Sequence, residues 1–202
     1  TIAVSAAPTQ TTDKYDVTGD GVNDTVYEIR TVDDFIWYYT NSGYDNRLNA
    51  ILMNDLDLSD GEWASLCSRD LPFTGTFDGQ GHIVSNFVTA GTDNEGLFGY
   101  CSSATIRNVG VVGAKVTGWR AGAVVGYALT SNVLSCFAKD CVITGDTTNS
   151  VALLSGTVYI APVAGPQGGV VRDCYAVDCT LVDATDLEVY TAPVGGVDTQ
   201  NG

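Results

Sequence analysis

The strongest constraint in this 202-residue chain is that part of it repeats. Thr105 to Gly118 superposes on Asn132 to Gly145 at an offset of 27, which sets Ile106 on Val133, Val109 on Cys136, Val111 on Ala138, Ala114 on Cys141, Val116 on Ile143 and Gly118 on Gly145. A third copy begins at Val170, offset by 38 from the second, with Cys174, Ala176, Cys179 and Leu181 in matching places. Upstream, Val84, Asn86 and Phe87 match Ile106, Asn108 and Val109 at an offset of 22. Small apolar segments precede the units: Gly96-Leu97-Phe98-Gly99, Ala123-Val124-Val125-Gly126, Ala161-Pro162-Val163-Ala164-Gly165 and Ala192-Pro193-Val194-Gly195-Gly196.

Strands of three to five residues recurring at such a period predict one turn of a β-solenoid each, with the longer interval a turn that carries an insertion. A single turn cannot bury its inward side chains. Stacked turns bury a continuous column and pair each backbone edge with the next turn. Inward Ala, Val and Cys suit a narrow interior, and glycines suit corners. The other all-β arrangement, a hairpin-built sandwich, does not call for matches at this many aligned positions.

The opening of the chain differs. Residues 1–12 are rich in Thr, Ala, Ser and Pro and read as a linker or disordered segment. Residues 14–29 place two alternating segments around an Asp/Gly loop, a hairpin pattern. Thr31 and Asp34 form a short capping box, so a helix is predicted over 32–40, with Phe35, Ile36, Tyr38 and Tyr39 on one face and Asn41-Ser42-Gly43 as its stop. Residues 13–50 are thus expected to cap one end of repeats spanning 51–202, in one structural domain. The first residue is Thr rather than Met, with no basic stretch before the apolar residues, and is read as a processing boundary.

Nine Lys and Arg stand against 24 Asp and Glu, a formal charge of −15. Such a surface repels phosphates and anionic lipid, which argues against nucleic-acid binding and electrostatic membrane adhesion. No apolar run reaches the roughly 18 residues of a spanning helix, so membrane insertion is not expected. The 23 glycines and the apolar content argue for a folded, turn-rich chain.

Several residues have chemistry to weigh. Asp16, Thr18, Asp20 and Asp24 occupy positions 1, 3, 5 and 9 of a calcium loop, with Gly21 at the sharp turn and the Val22 carbonyl at position 7. Tyr27 stands where the closing Glu belongs, so an Asp/Gly loop with solvent-facing acids is the competing reading, and calcium is the one cofactor to test. Asp140 and Asp178 align between repeats, and acids side by side on neighbouring turns are what a glycoside hydrolase or a bound calcium needs. Trp63 and Trp119 are candidates for sugar stacking, whereas Trp37 belongs to the cap. His82, the single histidine, has no evident nucleophile beside it and reads as a surface strand residue. The six cysteines recur as Cys-x4-Cys, not the Cys-x2-Cys of a zinc knuckle. Cys136 over Cys174 and Cys141 over Cys179 would lie one turn apart, close enough for disulfides. An unbonded thiol ladder is preferred, because the first copy carries Val109 and Ala114 there.

The run from Phe73 to Phe87, with its Phe77-Asp78-Gly79-Gln80-Gly81-His82 centre, followed by Gly96-Leu97-Phe98-Gly99 and Ile106-Arg107-Asn108-Val109, resembles the GLUG-motif repeats of bacterial cell-surface proteins. It is similar as well to a module in the N-terminal regions of immunoglobulin-A-cleaving surface peptidases. The resemblance covers roughly residues 25–197. It implies a right-handed parallel β-helix within a larger exported or surface-anchored bacterial protein, extracellular and without activity of its own. It brings no catalytic residues, and the His-Glu-x-x-His of a zinc peptidase does not occur here. Ala161-Pro162-Val163 departs from the glycine-led segment, so a ligand loop or distorted turn is expected there. The expected function is a non-catalytic structural or adhesive module joined to further domains, with a host protein or glycan as partner. A glycan-binding module and a polysaccharide hydrolase or lyase are the alternatives.

Overall fold

The structure is a computed structural model that describes residues 6–42, 45–146, 157–164, 168–183 and 188–191. It is a parallel β-solenoid with one short helix. Thr76–Asp78, Ile83–Ser85, Val88–Ala90, Asn94–Glu95 and Phe98–Ser102 form one turn. Thr105–Arg107, Gly110–Val112, Lys115–Gly118, Arg120–Gly122 and Val125–Leu129 form the next. Asn132–Leu134, Phe137–Lys139, Val142–Gly145 and Thr157–Ala161 follow, then Val170–Arg172, Tyr175–Val177, Thr180–Asp183 and Glu188–Thr191. Like sides pair in parallel from turn to turn, as in Phe77, Ile106, Val133 and Val171, or Val84, Val111, Ala138 and Ala176. A partial turn, Ala50–Leu52 and Leu56–Asp57, lies before them.

The core is the inside of this coil. Phe77, Val84, Val109, Cys136, Ala138, Cys141 and Ile143 are buried, as are Leu97, Phe98, Val124 and Val125 from the small apolar segments. Those segments also stack: Phe98 N–H donates to the Val124 carbonyl and Val124 N–H to the Val163 carbonyl, both at 2.9 Å. Pro162 is accommodated because it serves as an acceptor, taking the Ala123 N–H at 3.0 Å, so its missing N–H costs nothing in that bond. The insertion before it and the Ala192–Gly196 segment lie outside the described residues.

The offset of 22 is corrected by the pairing. Val84 lies beside Val111 rather than Ile106, and Phe77 is the residue beside Ile106. Adjacent sides of one turn carry the same inward-apolar, corner-Asn pattern, so a shift by one side matches nearly as well as a shift by one turn.

At the N-terminal end, Thr9–Thr11 is a strand paired antiparallel with Val26–Ile29. This corrects two expectations: residues 9–11 are not a linker, and the hairpin's first arm is this strand rather than the segment after Lys14. That segment instead seats Val17 against Val26 and Ile51 in a small second core, with Tyr15 and Met53 at its edge. Asp34 N–H donates to Thr31 Oγ1 at 3.1 Å, and Asp34 Oδ2 accepts Thr31 N–H at 3.0 Å, completing the capping box. The helix spans Val32–Ser42, two residues longer than expected, because Asn41 and Ser42 return hydrogen bonds to the Trp37 and Tyr38 carbonyls. It buries Phe35 and Tyr38, with the Tyr38 ring 5.9 Å from Phe77, while Ile36 and Tyr39 are only half-buried. Aromatic rings thus close the end of the coil, where apolar side chains would otherwise meet water.

Replacing Val124 by Asp would leave a charge without a partner in this column. The expected loss is on the order of 3–5 kcal/mol, read as a large fall in the urea unfolding midpoint. An unchanged midpoint would remove Val124 from the core.

Candidate functional site

The polar positions that recur in the sequence are corners. Gln80, Asn108, Ser135 and Asp173 all have φ between 52° and 56°, and Asn86, Asp140 and Asp178 lie between 53° and 62° with Gly113 at 68° in the same column. This left-handed region is costly for most residues and cheapest for Gly, Asn and Asp. Corner amides bond to the following turn: Asn86 N–H to the Val112 carbonyl, Gly113 N–H to Lys139 and Asp140 N–H to Val177, at 2.9 to 3.0 Å. Asp140 and Asp178 are therefore adjacent, as their alignment requires, but they are exposed turn residues. Lys139 Nζ is 3.8 Å from the Asp140 carboxylate, and neither acid lines the two clefts described below.

Both candidate tryptophans pack against the protein itself. Trp119 is only 7% exposed, stacked under the Arg120 guanidinium at 3.7 Å. Trp63 is half-buried: its indole N–H donates to the Leu58 carbonyl at 2.7 Å and its ring packs against Phe35 and Tyr39. An aromatic pair with one exposed member, Tyr175, and one half-buried, Phe137, lies elsewhere. The rings of Phe137 and Tyr175 are stacked, 5.2 Å apart and 7° from parallel. Gly110 occupies the same column one turn earlier, and a Cβ there would overlap the Phe137 ring. Beside the rings a shallow groove of about 370 Å³ is lined by Gln80, Gly81, Asn108, Val109, Ser135 and Phe137. Phe137 and Tyr175 share one outward column, to which the sequence analysis assigns no role. The 38-residue offset that aligns them was the available signal.

A second cleft, about 330 Å³, was not foreseen either. It is lined by residues 64, 65, 67–69 and 90–95, among them Ser65, Arg69, Asp93, Asn94 and Glu95. Ser65 Oγ donates to Glu95 Oε2 at 2.5 Å and accepts Gly96 N–H at 2.9 Å. Burial raises the Glu95 pKa and the nearby Asp93 charge adds to this, against the lowering effect of the hydrogen bond from Ser65. Gly91 and Gly118 give the Glu95 side chain its space. A pair of acids of which one is held toward its neutral form is a common ingredient of acid–base chemistry. Here its measurable consequence is on stability.

In the loop read for calcium, the acids bind the loop itself. Asp16 accepts Gly19, Asp20 and Gly21 amides, and Asp24 accepts those of Val17 and Thr18. The Gly21 amide is the main reason the Asp16 pKa is lowered. Asp20 accepts Val22 N–H at 2.8 Å. Among the described residues, no three His, Cys, Asp or Glu side chains converge as a metal site would require. His82 Nδ1 is 3.0 Å from Asp55 Oδ1, which also accepts the Ile83 amide, so the histidine joins two turns on the surface.

No protein-family model matches this chain. It is similar to Halomucin of Haloquadratum walsbyi. They share 33% identity over 116 residues, which is 50% of this chain and 1% of Halomucin. Among solved structures, a candidate immunoglobulin A1 protease from Bacteroides ovatus overlaps 86% of this chain and 72% of its own, with a TM-score of 0.49 and 16% identity.

The sign of the Glu95 effect is testable. Its folded pKa lies above the value of about 4.5 expected when unfolded, so stability is lost as pH rises through the interval between them. Glu95→Gln keeps an acceptor for Ser65 without the charge. Its urea midpoint should exceed the wild type at pH 7 and match it below pH 4.5; a lower midpoint at pH 7 would contradict the buried-acid assignment.

Proposed function

We propose that this chain is a non-catalytic structural or adhesive module of a longer exported, cell-surface protein, related to the GLUG-type repeats its sequence resembles. The observation that carries the proposal is the use of its recurring polar residues. Asn108, Ser135, Asp140, Asp173 and Asp178 stand at left-handed corners, where turn geometry accounts for their identity without a substrate. The match to a segment amounting to 1% of Halomucin supports a role as one unit among many. Among the described residues no helix is long and apolar enough to cross a membrane. A coil held turn by turn through backbone hydrogen bonds is stiff, and it can hold another domain away from a cell or present a long flank to a host protein or glycan.

One observation favours the alternative of a glycan-binding module: the stacked Phe137 and Tyr175 rings beside a groove with Gln80, Asn108 and Ser135. Apolar ring faces flanked by amides and hydroxyls suit sugars, and the acidic surface, at −15 overall, favours neutral over acidic ones.

Both readings are tested together by titrating the protein against neutral and acidic polysaccharides while following product release. The structural or adhesive module is expected to give no turnover and no saturable polysaccharide binding that depends on Tyr175. Saturable binding weakened at least tenfold by Tyr175→Ala would select the glycan module, and turnover abolished by Asp140→Asn or Asp178→Asn would replace both with an enzyme.

A further inference from the structure

The cysteines supply chemistry that a spacer does not use. Cys136 and Cys174 stand immediately before strands that pair in register, Phe137 against Tyr175, so they are vertical neighbours on consecutive turns. Cys136 N–H points at the Cys174 sulfur, 3.4 Å away, while Tyr175 N–H donates to the Cys136 carbonyl at 3.2 Å. The separation between turns, about 4.8 Å, falls inside the Cα range that a disulfide spans. Their surroundings differ. Cys136 is buried, with its thiol directed to the Ile106 and Leu134 carbonyls, whereas Cys174 is half-exposed on the last described turn.

We infer that Cys136 and Cys174 form a thiol–disulfide exchange site, in which Cys174 reacts first with a low-molecular-weight disulfide and Cys136 then closes a cross-link between consecutive turns. In the first step the Cys174 thiolate attacks one sulfur of the small disulfide, forming a mixed disulfide and releasing one small thiolate. In the second, Cys136 gives its proton to the departing group and its sulfur attacks Cys174 Sγ, releasing the second small thiol. Two protein thiols are oxidised by two electrons, and one small disulfide is reduced to two thiols.

The order of attack follows from the environments. The thiol–thiol contact and the Cys136 amide favour the anionic form of Cys174, lowering its pKa against the opposing effect of burial. The same contact and full burial push the Cys136 thiol well up. The thiolate is the nucleophile, so the exposed partner leads and the buried one resolves. Cys141 and Cys179 provide an internal comparison. They are aligned in the same way, Val142 against Thr180, with burial driving the Cys141 thiol up to about 11, and Cys179, like Cys174, bonds a carbonyl of its own turn; the first pair is distinguished by the Cys136 amide held against the Cys174 sulfur.

The reduced protein, incubated with oxidised glutathione and then alkylated, should lose two of its six thiols, with peptide mapping placing the first cross-link at Cys136–Cys174. Cys174→Ser should slow thiol loss at least tenfold, Cys136→Ser should retain glutathione on Cys174 as a mixed disulfide, and Cys141→Ser should leave the reaction unchanged. The rate in the wild type should level off below pH 9, the range of an ordinary thiol. Six thiols still open to alkylation after a free-cysteine peptide has been fully oxidised would overturn the site. So would a first link mapped to any other pair, and neither readout depends on a variant folding.

Discussion

Parallel backbone pairing between turns is the interaction on which everything else in this chain rests. One turn of three- to five-residue strands encloses too little apolar surface to hold itself together, and its amides and carbonyls point along the coil axis with no partner inside the turn. The next turn supplies those partners and the second layer of the core at once. Interior residues must then be small enough for a narrow coil yet aligned from turn to turn, as Val109, Cys136 and Cys174 are. Corners must reverse direction in one or two residues without losing the amide bond to the following turn, which accounts for left-handed Asn, Asp, Ser and Gly in vertical files.

The two ends of the described coil are treated differently. At the start, the capped helix brings Phe35 and Tyr38 over the opening, and the antiparallel strand Thr9–Thr11 extends the sheet beyond its first parallel member. On the last described turn, Val171, Cys174, Ala176 and Cys179 are half-buried where their predecessors Val133, Cys136, Ala138 and Cys141 are fully buried. Cys174 is half-buried there and Tyr175 is 54% exposed.

Much of this architecture was legible in the sequence because stacking writes itself as repetition. The offsets of 27 and 38 reproduce the pairing of Ile106, Val133 and Val171 residue for residue. The Thr31/Asp34 cap was also readable, since its two side chains are three residues apart and need no tertiary context. The earlier offset failed for a physical reason: neighbouring sides of one turn obey the same inward and corner rules, so Val84 could be laid on Ile106 as well as on its true neighbour Val111. The strand Thr9–Thr11 was hidden because edge pairing asks little of an exposed Thr-Gln-Thr segment. The groove and the Glu95 cleft were hidden because their residues come from different turns, brought together only once the register is known. Trp119 was misjudged because exposure is a property of packing, which an isolated Trp in a sequence does not announce.

Hydrogen exchange of the native protein, resolved to individual amides, tests the stacked-turn account most directly. The amides of Asn86, Gly113, Phe137, Asp140 and Val142 each donate to a neighbouring turn. They should be strongly protected on every side of the coil, while the loop amides of Asp13 and Asn23, outside the ladders, exchange rapidly. Protection restricted to one side of each turn, or alternating along the strands as in antiparallel hairpins, would contradict the solenoid and with it the placement of every corner and cysteine derived from it.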